Sequence, residues 1–222
     1  MNNAVNLKTH ASAGITLTTK KHFGSQSRRG ASHLHYSLIA TYRKSVSSNT
    51  DYHKYRVLVD FIGSRYLGRI TILFIVDGLF SGGGSELAFS VKYFIPPFKN
   101  DWCSSIFVSQ DQAALESVCY DFLRNEWNGI YNHDLSNNEY NNMPNVNGID
   151  DFLHQAAEKS NWPEGIIYDP DNEGEPLSSL GVHEHWNNAE SKQYSRNMGA
   201  GKGIELISLP DTLVRTKLSK NK

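Results

Sequence analysis

Ile70-Thr71-Ile72-Leu73-Phe74-Ile75-Val76-Asp77-Gly78 is the stretch on which the fold turns. The run 70–76 is apolar but for Thr71 and stops at an Asp-Gly pair, which reads as a strand buried on both faces that ends in a turn. Upstream, residues 51–67 place Tyr55, Leu58, Val59, Ile62 and Tyr66 at helical spacing. Asp51 is the expected N-cap and Gly68 the expected C-terminal stop. Downstream, 105–108 reads as a second short strand. Asp111 then opens a helix whose Ala114, Leu115, Val118, Phe122 and Leu123 share one face. Helix, strand, strand and helix in this order predict an α/β fold: a mostly parallel or mixed sheet flanked by helices.

The rest of the chain divides by composition. Residues 1–127 form the α/β part, and 128–149 form an Asn-rich loop or linker with Gly129, Pro144 and Gly148. A short helix is expected over 149–159. Beyond Trp162 comes an irregular, turn-rich C-terminal extension that runs to the apolar stretch 204–209, so that 150–209 pack on the same domain. The basic tail 210–222 is expected to fray.

With 222 residues, 39% of them hydrophobic, the chain can bury a substantial core. Lys and Arg number 22 against 23 Asp and Glu, a balance that argues against nucleic acid as the main partner. The basic cluster Lys20, Lys21, Arg28 and Arg29 suits one small anion better than a polymer. No run of ~18 apolar residues is present, so no membrane span is expected. Cys103 and Cys119 are the only cysteines, which excludes a four-cysteine zinc site and an iron–sulfur cluster built from this chain alone. Cys119 falls on the apolar helix face and reads as a buried thiol.

Several groups of residues carry chemistry, each with a plainer alternative. Lys8, His10, Lys20, Lys21 and His22 lie among threonines, serines and Gly24, where cations, imidazoles and backbone amides can meet an anion or a metal. Asp77 and Gly78 end a strand, a common ligand position. Gly82, Gly83 and Gly84 would let amide groups approach an anion, or form only a flexible turn. Ser109 and Asp111 precede a helix and either hold an anion there or simply cap it. His183 and His185 would share one side of an extended segment at a spacing that suits a divalent metal, unless they are exposed or hydrogen-bonded for structure alone. Asp150 and His154 sit one helical turn apart and read as an ordinary capping pair. Neither a phosphate-binding loop nor a dinucleotide fingerprint occurs, and H-E-H lacks the spacing of a zinc protease helix.

These motifs taken together resemble the domain of unknown function 362 family. The family's N-x-x-x-L-K-T-H segment has its counterpart in Asn3 or Asn6 through Lys8 and His10. Its T-L-x-x-K-N-x-F-G has one in Thr16, Leu17, Lys20, Phe23 and Gly24, with Lys21 replacing the usual Asn. I-V-D-G before a glycine-rich turn matches 75–78 and 82–84. S-x-D-P-V-A-x-D-S-V matches 109–118, with Gln112 replacing Pro and Glu116 replacing Asp. The stretches 168–170, 179–187, 194–197 and 203–206 resemble the C-terminal extension of one branch. The resemblance implies a further α/β portion ahead of this chain, with any export signal upstream of it. It also implies an iron–sulfur association in relatives whose cluster cysteines this chain lacks. A missing N-terminal portion is then a partner in its own right, and sheet edges left open by its loss would favour aggregation.

Three functional expectations follow. In the first, Lys8 and Lys20 hold a small anionic substrate or cofactor, His10 moves protons or binds metal, and Asp77 orients the ligand. In the second, His10, His22, His183 and His185 form a non-catalytic metal- or ligand-binding module. In the third, the chain is a structural domain with no activity.

Overall fold

The structure is a computed structural model that describes residues 1–10, 13–25, 30–38, 40–41, 45–46, 52–83, 90–127 and 148–209. Its centre is a four-stranded mixed sheet in the order β2-β1-β5-β6. The strands are β1 (Asn2–His10), β2 (Gly14–Thr16), β5 (Leu73–Gly82) and β6 (Ser105–Ser109); β3 (Ala40–Thr41) and β4 (Ser45–Val46) form a separate two-stranded ribbon. β1 runs parallel to β5, and the pairs β1/β2 and β5/β6 are antiparallel. The α/β class with a mixed sheet is therefore as the sequence predicts.

Among the described residues four helices accompany the sheet: α1 (Thr18–Lys21), α2 (Val57–Gly63), α3 (Gln112–Glu126) and α4 (Asp151–Ala157). α3 is capped by Asp111, whose side chain accepts from the Ala114 amide at 2.9 Å. Leu7, Phe74 and Val76 on one sheet face join Leu115, Val118, Phe122 and Leu123 of α3 in a core that also takes in Trp186, Tyr194 and Ile204. Phe122 meets Phe107 edge-on on the sheet side at 5.2 Å, and Trp186 at 4.9 Å. The C-terminal extension thus covers the face of α3 that an ordinary surface helix would show to water, and Ser117 and Asp121 are buried there, whereas Glu116 is buried against α1, where it accepts from Thr18 and Thr19.

Several sequence expectations are corrected. The strand beginning in the run 70–76 is buried on one face only. Phe74 and Val76 are buried, whereas Ile72, Phe80, Ile106 and Val108 are exposed on or beside the sheet. The helix predicted over 51–67 is confined to Val57–Gly63, because Arg56 is drawn into a buried ion pair with Asp151 and Ser64 turns to Asp171. Gly68 opens a short 3₁₀ turn instead of ending the helix; a Cβ there would lie 2.1 Å from the Ile62 carbonyl oxygen. The expected helix over 149–159 is α4, shorter by two residues at each end. Asp51, the loop residues 128–147 and the tail 210–222 lie outside the described residues. Among the described residues, no helix is long and apolar enough to cross a membrane. Cys103 and Cys119 are buried free thiols.

Candidate metal centre

Residues 182–186 pass along α3 outside any strand or helix, held by acidic side chains at the start and on the body of that helix. The Asp111 carboxylate accepts from the Val182 amide at 3.0 Å, and Asp121 accepts from the Trp186 amide at 2.9 Å. Gly181 permits the approach, since it has φ +145° and a Cβ there would fall 2.2 Å from Asp111 Oδ1. His183 and His185, two residues apart, come together with ring centroids 5.0 Å apart.

α4 supplies the facing side. Asp150 stands just before its first turn, and His154 follows one turn later with Nε2 3.5 Å from Asp150 Oδ2. The same oxygen is 3.1 Å from His185 Nε2 and 4.0 Å from His183 Nε2. One ligand atom from each of Asp150, His154, His183 and His185 lies within 4.8 Å of the other three. A tetrahedral zinc ion with bonds of 2.0–2.1 Å needs ligand atoms about 3.3 Å apart, so the constellation closes on such an ion with shifts below about an ångström.

The surroundings fix which atoms face the centre. Ser117 Oγ donates to the Ala113 carbonyl at 2.7 Å and therefore accepts from His183 Nδ1 at 2.8 Å. The proton is thereby placed on Nδ1 and the lone pair on Nε2. That Nε2 belongs to a side chain only 1% exposed and has no hydrogen-bond partner among the described residues. Asp121 Oδ1 accepts from His185 Nδ1 at 2.7 Å, the carboxylate–imidazole arrangement that orients metal-binding histidines. The Tyr52 hydroxyl donates to Asp150 Oδ1 at 2.6 Å, leaving Oδ2 for the centre.

Charge follows the same plan. Burial, aided by His154 and His185, pushes His183 down to about 3, so it stays neutral. Hydrogen bonds to Asp121 and Asp150 pull His185 up to about 9. Burial opposes ionisation of Asp150, but hydrogen bonds from His154, His185 and Tyr52 outweigh it and hold the carboxyl well below its usual range. Without an ion, His185 bridges two carboxylates as an imidazolium. To hold an ion, its Nε2 would have to give up that proton and offer its lone pair.

The N-terminal residues form a separate group. Lys8 and His10 are on β1, Lys20 and Lys21 on α1, and His22 and Gly24 in the following 3₁₀ turn. His10 Nδ1 accepts from the Ala13 amide at 3.1 Å, and its pKa falls to about 3 through burial, then Lys20 and Lys8. Lys20 lies 3.9 Å over the Phe23 ring, Lys21 donates to the Ala4 carbonyl, and His22 meets Asn3. Lys8, His10 and Lys20 are thus brought together. Asp77 is placed elsewhere: it pairs with Asn6 and Ile106, four residues back along β1 from His10, and its carboxylate accepts from the Leu79 amide. Of the proposed histidine set, His183 and His185 meet each other and new partners, while His10 and His22 stay with the N-terminal group.

Of the remaining residues singled out in the sequence, Arg28, Arg29 and Gly84 lie outside the described residues, and the others have structural neighbours. Gly78 packs beneath Ser105 and Cys103, Gly82 pairs with Lys8 at an irregularity in the sheet, and a Cβ on Gly83 would meet Trp127 at 2.9 Å. Ser109 Oγ accepts from the Asp111 amide at 3.0 Å, so the two side chains occupy the helix start themselves. Sequence reasoning missed Asp150 and His154 as members of the cluster, along with Ser117, Asp121 and Tyr52 behind them. The Asp-x-x-x-His spacing was visible, but only the packing of α4 against 182–186 makes it half of a site.

Comparison of the chain with protein-family models, with curated proteins and with solved structures finds no match.

Proposed function

We propose that this chain binds one divalent transition metal ion through Asp150 Oδ2 and the Nε2 atoms of His154, His183 and His185. Three imidazoles and one carboxylate favour zinc or a neighbouring first-row ion over magnesium or calcium, which prefer oxygen ligands. The observation that carries the reading is the buried Nε2 of His183, whose lone pair is aimed at the other three donors with no partner of its own. A buried polar atom left in this way costs about 1–3 kcal/mol, which a metal bond would recover. His154 and His185 are 39% and 33% exposed, so the ion would meet solvent on one side and could polarise an oxygen bound there.

A second reading is favoured by the His185 imidazolium, which bridges Asp121 and Asp150 without any ion. In that reading the cluster only staples the C-terminal extension to α3 and α4. Elemental analysis of the purified chain, followed by cobalt(II) titration of the chelator-treated protein, separates the two. Near-stoichiometric metal that is lost in His183→Ala supports the centre. A chain that takes up neither zinc nor cobalt and whose melting temperature ignores both leaves the staple. The expectation of an anion held by Lys8, His10, Lys20 and Asp77 remains a proposal of its own.

A further inference from the structure

The central sheet ends on a strand that nothing blunts. β6 stands last in the order β2-β1-β5-β6, and β5 pairs with one of its edges in an unbroken antiparallel register, from Phe74 opposite Ser109 to Gly78 opposite Ser105. Among the described residues, the other edge of β6 has no hydrogen-bonded neighbour. An open row of N–H and C=O groups is a template for a further strand, and soluble proteins ordinarily guard it with a lysine, a proline or a bulge. Ser105-Ile106-Phe107-Val108-Ser109 has no charge, no proline and no bulge. Ile106 and Val108 are 60% and 54% exposed.

Short edges are common, and single exposed apolar side chains need no partner. β6 differs in that it reads nearly the same in both directions about Phe107, with a β-branched residue on either side and a serine beyond each. An antiparallel strand meets a copy of itself with its ends exchanged, so a two-fold contact requires a segment that complements its own reverse. We infer that β6 pairs antiparallel with β6 of a second copy of this chain, with the two-fold axis at Phe107. Two four-stranded sheets then join into one of eight strands.

This register sets Ile106 of each copy opposite Val108 of the other, a β-branched pair of the kind that stabilises a sheet across strands. Phe107 packs against Phe122 on the α3 side of the sheet, so the two Phe107 residues meet at the axis on that side. Charge does not oppose the contact. Asp77 is the one charged residue of β5 in register with β6, opposite Ile106. In the joined sheet its two copies stand three strands apart, about 15 Å by strand spacing, beyond the roughly 8 Å over which exposed charges act at physiological salt. Five residues of edge bury well below the ~1,600 Å² of a standard interface, so the dimer is reversible, with a dissociation constant about micromolar or weaker. No residue of β6 belongs to the metal cluster.

Sedimentation equilibrium of the full chain, from about 1 μM to about 1 mM, reads the contact. The wild type should pass reversibly from monomer to dimer and stop there. Val108→Lys and Ile106→Glu each set a charge against an apolar side chain of the other copy, and each should weaken the dimer about tenfold or more. In the double variant each new carboxylate faces a new ammonium across the axis, so most of the lost affinity should return. Both sites are exposed, so the circular dichroism of the dilute variants should match that of the wild type. A chain that stays monomeric throughout, an assembly that grows past two copies, or a dimer that Val108→Lys leaves unchanged overturns the inference. So does a double variant as weak as the single ones, because the pairing then lies in some other register.

Discussion

The Ser117 hydroxyl and His183 Nδ1 stand 2.8 Å apart, and the serine's only proton is committed to the Ala113 carbonyl. The serine thus acts as a fixed acceptor and sets the imidazole tautomer from behind. Ser117→Ala should leave a buried N–H without a partner and cost about 1–3 kcal/mol of stability. It should also weaken metal binding by about tenfold or more, the usual penalty for removing a group that orients a ligand. Competition with a chelator of known affinity measures the second effect. Unchanged metal affinity in a folded Ser117→Ala protein would show that the tautomer is set by something else.

A buried ion pair holds the other half of the centre. Arg56 Nε lies 2.7 Å from Asp151 Oδ2, with the two side chains 2% and 1% exposed. Asp151 also accepts from the His53 amide at 2.9 Å, so the pair pins the segment carrying Tyr52 against α4. Arg56→Met would strand a carboxylate in the interior, at a cost of about 3–5 kcal/mol. Arg56→Met combined with Asp151→Leu should be milder than Arg56→Met alone, because no charge is then left unpaired. Denaturant midpoints of the single and double variants check the order, and a harmless Arg56→Met would contradict it. Metal affinity should fall as well in Arg56→Met, although Arg56 touches no ligand, because Tyr52 loses its footing on Asp150.

How far the fold could be read depended on where each segment's partners lie. α3 was legible from its Asp111 cap and its apolar spacing, since both signals are local. The function of its polar residues was not. Ser117 and Asp121 look like a solvent face until 182–186 cover them, and that contact spans more than 60 positions of sequence. β1 escaped notice for a related reason. Asn3 and Thr9 are buried on the same face as Leu7, so the strand lacks the apolar alternation that marks a half-buried strand. It is a strand because β5 offers it a parallel partner. Conversely, the run 70–76 seemed to demand cover on both sides, yet one face of the sheet keeps Ile106, Val108 and Phe80 exposed. Hydrophobicity found only the first half of that strand, which starts at Leu73 and runs on through Asp77 and Gly78 to Gly82 instead of ending there in a turn, and it could not count the layers around it. At the site, His183 and His185 were visible as a pair because their spacing is local, whereas Asp150 and His154 needed the packing of α4 to join them.

His10 gives the chain an acid-sensitive point away from the cluster of Asp150, His154, His183 and His185. Burial, then the charges of Lys20 and Lys8, lower its pKa from 6.5 to about 3. Between these two values the unfolded chain binds a proton that the folded chain refuses. The stability it contributes is therefore complete above pH 6.5 and is lost as the pH falls toward 3. Within that window each pH unit costs about 1.4 kcal/mol for this one group. His10→Asn removes the titration and keeps an acceptor that can be offered to the Ala13 amide, which now donates to Nδ1 at 3.1 Å. Denaturant unfolding of the two metal-free proteins at pH 7 and pH 5 isolates the effect, since His183 titrates alike in both. The wild type should lose about 2 kcal/mol more than His10→Asn over this interval. Parallel losses would mean that His10 accepts its proton in the folded chain, and that the neighbouring lysines do not hold it neutral.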